Sequence, residues 1–385
     1  MKLNVYEEYC TGCGLCKSVL ETNNGFESSG FWKPIIEKKN QFYDMVCPVN
    51  KKNTSSSIWG THLEYLLGHA SDEKIRKNSS SGGILTAIAL YLIENRIVDG
   101  IIHVERDCAV AYNTQVTISR TAKEIFEHSG SRYSSSSPLI NITEIVNERE
   151  KYAFIGKPCD VSALKAYMEK YDTLKNIIYM FSFFCAGVPS ENAQLELLRE
   201  LGCLNVNECE TLNYRGNGWP GYTTCYFKDG HISTMTYEKS WGQILGRDVR
   251  KMCRFCMDGI GIMADITCCD AWILTKDKKP DFSEADGRNA ILVRSKQGKE
   301  ILDAMREDKL IDCESADIDE LKYMQTYQYE RRATMIDRIL AMVIMRKDIP
   351  NYSFKEMIKL SNNVSIRKHL HIFKGTLQRI KSGKI

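Results

Sequence analysis

Cys10-Thr11-Gly12-Cys13-Gly14-Leu15-Cys16 sets three thiols at two-residue intervals, and Cys47-Pro48 follows later in the chain. Three thiolates at this spacing wrap one corner of an iron–sulfur cube, with Gly12 and Gly14 permitting the tight backbone. In a two-cluster ferredoxin each C-x2-C-x2-C-x3-C-P run gives three ligands to one cluster and its last Cys to the other. Here Lys17 to Leu20 lacks that last Cys, and Gln41 to Val46 holds none. What survives is the set for one cluster, with the four ligands of the other removed together. The spacing predicts a 4Fe–4S cluster on Cys10, Cys13, Cys16 and Cys47, a centre that carries single electrons. A zinc knuckle would use C-x2-C pairs or mixed Cys/His sets and fits this run poorly.

A second concentration of thiols lies downstream, at Cys253-Arg254-Phe255-Cys256 and at Cys268-Cys269. One C-x2-C supplies two ligands and needs two more. Cys159 is one source, in the turn Gly156-Lys157-Pro158-Cys159 that ends a short strand at 151–155. Cys185 is another, in Phe184-Cys185-Ala186-Gly187-Val188-Pro189-Ser190 at the end of a strand over 177–184. Both then sit past the C-terminal ends of strands, where α/β sheets gather their ligands. Cys268-Cys269 is an alternative source, although neighbours on a strand point to opposite faces and do not easily serve one centre together. Any one of these thiols alone would usually be buried and inert.

Two polar loops join them. Asn78-Ser79-Ser80-Ser81-Gly82-Gly83 precedes an apolar helix expected over 84–93, and free N–H groups at such a start favour an anion such as phosphate. A plain N-cap is the simpler reading. Gly130-Ser131-Arg132-Tyr133-Ser134-Ser135-Ser136-Ser137-Pro138 is dense in hydroxyls around one Arg and one Tyr. It suits a nucleotide or flavin, with the Arg on phosphate and the Tyr ring for stacking; the alternative is a flexible surface loop. The elements that must position these groups read as buried strands at 97–104, 151–155 and 177–184 with helices between them, one beginning near Asp160.

At 385 residues the chain suits two or three domains. Its 43% hydrophobic and 26% charged residues are those of an ordinary globular protein, and a net charge of +3 with pI near 8.1 is too mild to imply nucleic acid. No apolar run reaches bilayer-spanning length, and Met1-Lys2-Leu3-Asn4-Val5 has no h-region, so a cytoplasmic location is expected. Fifteen cysteines in a reducing compartment point to metal or redox chemistry rather than disulfides. The linker Lys51 to Ser57 divides a module at 1–57 from a body at 58–330, with an extension at 331–385. After Glu356 there is no acidic residue, but Lys359, Arg367, Lys368, Lys374, Arg379, Lys381 and Lys384 are present. Ile366, Leu370, Phe373, Leu377 and Ile380 recur at helical steps, giving a basic amphipathic helix. It would lie on an anionic membrane or dock an acidic partner such as a ferredoxin, or else pack on the core with a solvated basic face.

The motifs Ser81-Gly82-Gly83-Ile84-Leu85-Thr86-Ala87, Gly130-Ser131-Arg132-Tyr133, Gly156-Lys157-Pro158-Cys159, Phe184-Cys185-Ala186-Gly187-Val188-Pro189-Ser190, Tyr214-Arg215-Gly216-Asn217-Gly218-Trp219-Pro220-Gly221 and Cys253 through Trp272 carry a resemblance. In this order they resemble the coenzyme F420 hydrogenase/dehydrogenase beta-subunit family, fused to an N-terminal ferredoxin-like module. The fold class implied is α+β or α/β: a small cluster domain joined to an α/β flavin-binding domain, with a helical C-terminal extension. The resemblance implies a second 4Fe–4S cluster on Cys159, Cys185, Cys253 and Cys256. It also implies FAD held by Ser80, Ser81, Gly82, Gly83, Thr86, Ser131, Arg132 and Tyr133. The expected function is an oxidoreductase passing electrons between a ferredoxin-type carrier and a two-electron organic substrate, coenzyme F420 being one candidate. Near that substrate Lys157 would offer a cation to developing charge, Arg215 and Trp219 a binding face, and Asp270 a further polar group. The competing readings are a non-catalytic electron-transfer subunit of a larger redox complex and a zinc-stabilised binding protein. One departure stands out: Cys269 occupies the place of the Gly that usually precedes Asp270-Ala271-Trp272, which would reshape the surroundings of Asp270.

Overall fold

The computed structural model describes residues 3–385 except 21, 23, 27–29, 37, 51–54, 56 and 384. Most of the inferred linker therefore lies outside the described residues, as does Lys384. The strands in chain order are β1 (Asn24–Phe26), β2 (Trp32–Pro34), β3 (Glu64–Ala70), β4 (Gly100–Arg106), β5 (Thr114–Ser119), β6 (Tyr152–Gly156), β7 (Ile177–Phe183), β8 (Cys209–Asn213), β9 (Tyr222–Phe227), β10 (Ile232–Thr236), β11 (Ile266–Asp270), β12 (Asn289–Val293) and β13 (Ile311–Ser315). Eight of them form one mixed sheet in the order β13-β3-β12-β11-β7-β6-β4-β5. Its centre, β11-β7-β6-β4, is parallel, and its flanks are antiparallel. A second sheet, β10-β9-β8, is antiparallel.

The central strands are apolar on both faces, as parallel strands covered on both sides must be. Successive residues go to opposite layers. Ile101, Ala153 and Phe181 join the helices Ile84–Glu94 and Lys296–Glu307 on one face. Ile102, Phe154 and Met180 join the helix Pro158–Tyr171 on the other. That second core also takes in Tyr6, Tyr9, Phe42 and Val46 from the N-terminal segment and Met335, Ile339 and Met342 from the C-terminal helices.

Three expectations shift. The strand foreseen at 97–104 begins at Gly100, because the N–H groups of Ile97 and Val98 still bond the Leu92 carbonyl of the preceding helix (2.9 and 3.3 Å). The helix foreseen from Asp160 begins at Pro158, whose ring suits the first helical position, so Cys159 lies in the first turn rather than in a loop. The loop 130–138 is not a loose surface loop. Ser131 N–H donates to Ser80 Oγ (2.7 Å) and Ser137 Oγ to the Gly12 carbonyl (2.8 Å), tying one end to the Ser/Gly turn and the other to the first cysteine loop. The basic helix forms over Ile366–Lys381. Phe373, Leu377 and Ile380 pack on the core, while Ile366 and Leu370 stay exposed. Among the described residues no helix is long and apolar enough to cross a membrane.

Candidate functional site

Cys10, Cys13, Cys16 and Cys47 line a small cavity with Tyr43, Phe42, Ile36 and Val46. Gly12 and Gly14 hold left-handed backbone (φ 75° and 89°), which lets the loop double back. The Gly12 N–H points at Cys10 Sγ (3.3 Å). Cys47 closes the helix Gln41–Val46, its N–H bonding the Tyr43 carbonyl, and Pro48 prevents continuation. Burial is the main cause that pushes the Cys13 thiol up to about 12 and the Cys16 and Cys47 thiols up as well, and the neighbouring sulfurs add to it. Thiols crowded in an apolar pocket ionise only against compensating positive charge, which iron supplies.

The second cavity gathers Cys159, Cys185, Cys253 and Cys256 from three places in the fold. Cys159 comes from the helix after β6, Cys185 from the loop after β7, and the C-x2-C pair from the short helix Lys251–Arg254 and its exit. The Cys185 carbonyl takes bonds from Arg331 Nη2 (2.9 Å) and Gln328 Nε2 (2.8 Å), and Arg331 Nη1 also donates to the Ala186 and Cys253 carbonyls (3.2 Å each). Burial pushes Cys185 up to about 12 and Cys256 to about 11. Cys268 and Cys269 are not in this set. On β11 they face opposite cores, as their adjacency requires. Among the described residues no three His, Cys, Asp or Glu side chains converge as ligands of one metal ion do.

Above the sheet lies a cleft of about 630 Å³, within the range of small-molecule sites, about 300–1,000 Å³. Ser80, Ser81, Gly83, Thr86, Ser131, Arg132 and Tyr133 line it, as do Lys157, Arg215 and Asp270. Gly82 does not. It is packed behind the loop, where a Cβ would lie 2.7 Å from the Asn289 nitrogen. The helix Ile84–Glu94 opens on Gly83 (φ 82°), which has no side chain to cap it; Asn289 Oδ1 accepts the Ile84 N–H (3.2 Å), and Gly83, Ile84 and Leu85 at this positive end line the cleft. Arg132 donates through Nη1 to the Leu212 carbonyl (3.1 Å), while its Nε is buried without a partner. A helix start with further N–H groups beyond the one Asn289 takes, the Ser80 hydroxyl and the Arg132 guanidinium suit the phosphates of a dinucleotide cofactor, while Ser81 Oγ is engaged with the Arg288 carbonyl (3.0 Å).

The expected polar groups are engaged with one another. Lys157 Nζ meets Asp160 Oδ2 at 2.7 Å and Ser136 Oγ at 2.7 Å. Burial works most strongly against its charge, but Asp160 together with Cys159 and Cys185 outweighs it and holds the ammonium above its ordinary range. Arg215 grips Asp270 with both Nη atoms (2.8 and 3.0 Å), and Trp219 Nε1 donates to the same carboxylate (2.8 Å). Three donors on one carboxylate make Asp270 an anchor for Arg215 and Trp219. Trp219 stacks on Trp272 (4.7 Å), and Tyr237 lies under the Arg215 guanidinium (4.8 Å). Cys269 sits in regular β-structure opposite Ala290, so the residue that replaces the usual Gly strains nothing.

Sequence reading missed a polar chain at the far wall. His103 Nε2 bonds Ser119 Oγ (2.8 Å), Ser119 Oγ bonds His128 Nδ1 (3.0 Å), and His128 Nε2 meets Glu105 (2.8 Å). Its parts come from β4, β5 and the end of the helix Ala122–Glu127, and only the hairpin register brings them together.

Family models described as coenzyme F420 hydrogenase/dehydrogenase, beta subunit N-term and C terminus, match residues 65–144 and 149–319. The F420-dependent formate dehydrogenase subunit beta of Methanocaldococcus jannaschii is 26% identical over 209 residues, covering 54% of this chain and 52% of that protein. The chain thus spans about half the length of that relative. The coenzyme F420 hydrogenase subunit beta of Methanococcus voltae is 22% identical over 270 residues, 69% of this chain and 88% of that protein. The chloroplastic 7-hydroxymethyl chlorophyll a reductase of Oryza sativa is 23% identical over 300 residues, 77% of this chain and 61% of that protein. A chain of the F420-reducing [NiFe] hydrogenase complex from Methanosarcina barkeri shares the fold, with TM-score 0.56 at 18% identity, covering 76% of this chain and 97% of that one.

Proposed function

The chain belongs to the coenzyme F420 hydrogenase/dehydrogenase beta-subunit family, and from that premise we propose that it is an iron–sulfur flavoprotein oxidoreductase. It would exchange electrons between a ferredoxin-type carrier and a two-electron organic substrate, coenzyme F420 being the candidate that its relatives' names suggest. One adjacency carries this reading. Cys185 borders both the cleft and the second thiol cavity, and Thr11 and Pro48 border both thiol cavities. The three sites therefore adjoin in series.

Cys10, Cys13, Cys16 and Cys47 would hold one 4Fe–4S cluster, and Cys159, Cys185, Cys253 and Cys256 the other. Ser80, Ser81, Gly83, Thr86, Ser131, Arg132 and Tyr133 would hold FAD, with Gly82 giving the loop its close packing. Clusters supply one-electron exchange and a flavin supplies both one- and two-electron exchange. The chain's own part is to bind, orient and charge. Lys157, fixed by Asp160 and Ser136, presents a positive charge beside the cleft. Arg215, fixed by Asp270, presents another, set against Tyr237 and Trp272. Trp219, stacked behind Trp272, backs the aromatic part of that wall.

The division proposed is a cluster module at 1–57, a flavin and cluster body at 58–330 and a helical extension at 331–385. The relatives named as subunits favour a second reading, an electron-transfer subunit whose chemistry belongs to a partner. Anaerobic reconstitution followed by iron and flavin assays separates them. About eight irons and one flavin per chain are expected for the enzyme. Iron without flavin would leave the subunit reading, and no iron would end both.

A further inference from the structure

Arg250 stands between the two thiol sets. It is 2% exposed, and its carbonyl takes the N–H of Cys253 (3.0 Å) at the start of the second set. Its guanidinium reaches the first set. A Cβ on Gly12 would lie 2.5 Å from Nη2, so only glycine fits in the loop between Cys10 and Cys13. Nη2 donates to the Trp32 carbonyl (2.8 Å) and to Ser135 Oγ (3.0 Å), and the guanidinium lies 4.8 Å from the Phe31 ring centre. Among the described residues, Nε and Nη1 are buried without a hydrogen-bond partner.

A buried cation with two nitrogens left without an acceptor is costly to keep. A residue needed only for packing would be cheaper as Leu or Met. Asp160 lies within the field of Arg250 but already balances Lys157 (2.7 Å), so one positive charge remains over among the three. We propose that Arg250 is a positioning residue that sets the reduction potentials at both thiol sets by holding an uncompensated positive charge between them. The inference rests on the two-cluster reading above. A guanidinium stays protonated, so no proton or electron passes through it. Its field favours the extra electron on whichever side receives it, and burial spares that field from screening.

The test is a redox titration of the reconstituted protein followed by EPR, with iron assayed in every sample. In Arg250→Met both cluster signals should persist and both midpoints should move negative by at least tenfold in the one-electron equilibrium, about 59 mV. Arg250→Lys, which keeps the charge, should retain most of the wild-type values. Unchanged potentials in a fully loaded R250M protein would overturn the proposal, as would an equal shift in R250K, which would make packing the cause. If R250M takes up no iron, R250K alone decides: wild-type potentials support the role of the charge, and a tenfold shift contradicts it. Wild-type protein lacking two cluster signals would instead sink the two-cluster reading itself, before Arg250 is touched.

Discussion

The two thiol sets are delivered in different ways. The first comes from one glycine-bent loop and the end of one short helix, with the Ser137 hydroxyl holding the loop from outside. The second is assembled from the ends of separate elements of the α/β body, with Arg331 and Gln328 fastening its backbone. Only the second touches the cleft, through Cys185. A locally encoded site should be damaged without disturbing its neighbours, and a site shared with the sheet should not.

The largest contrast is expected between Cys185→Ser and Cys13→Ser. Each should cut iron from about eight to about four per chain. C185S should also lose most of its flavin, whereas C13S should keep it. Iron and flavin assays on the same preparations check this, and equal flavin retention would remove the distinction. Next comes Arg215→Met, which leaves Asp270 half-buried beside Trp219 without its cation. Breaking such a pair costs about 3–5 kcal/mol, so denaturant unfolding should show a loss of that size, against a smaller one for Asp270→Asn.

At the far wall, burial and the neighbouring His128 lower His103 from its ordinary 6.5 to about 4. The unfolded chain therefore binds this proton more readily than the folded one between those values. Stability should be complete above pH 6.5 and fall as the pH drops towards 4, by on the order of 3 kcal/mol. His103→Gln should flatten that slope in unfolding curves measured at several pH values. The smallest effect is expected from Gly14→Ala, where φ is 89° and a Cβ would lie 2.8 Å from the Ile140 nitrogen. A loss of about 1–3 kcal/mol is expected, read as a lower melting temperature with iron lost from the first set alone.

The difference between the sets also explains what the sequence made legible. Cys10, Cys13, Cys16 and Cys47 carry their geometry in their spacing, so local reading reaches them. Cys159 and Cys185 were accessible only through strand ends, and Cys268-Cys269 stayed an alternative until the resemblance favoured the other set; on β11 these two face opposite cores. The apolar runs of β6 and β7 announced buried strands, but nothing local showed that β12 and β3 would extend their sheet antiparallel. Arg250, Arg331 and the His103–Ser119–His128 chain were invisible because each gains its meaning from partners far along the chain. Pro158 was misplaced for a simpler reason: a proline after a lysine reads equally as a turn or as a first helical residue.

The most direct test of the serial arrangement is EPR of dithionite-reduced, reconstituted protein in three forms: wild type, Cys13→Ser and Cys253→Ser. Two cluster signals are expected in the wild type, with each variant losing a different one and keeping the other. Loss of both signals in either variant, or of the same signal in both, would show that the two thiol sets do not hold separate centres.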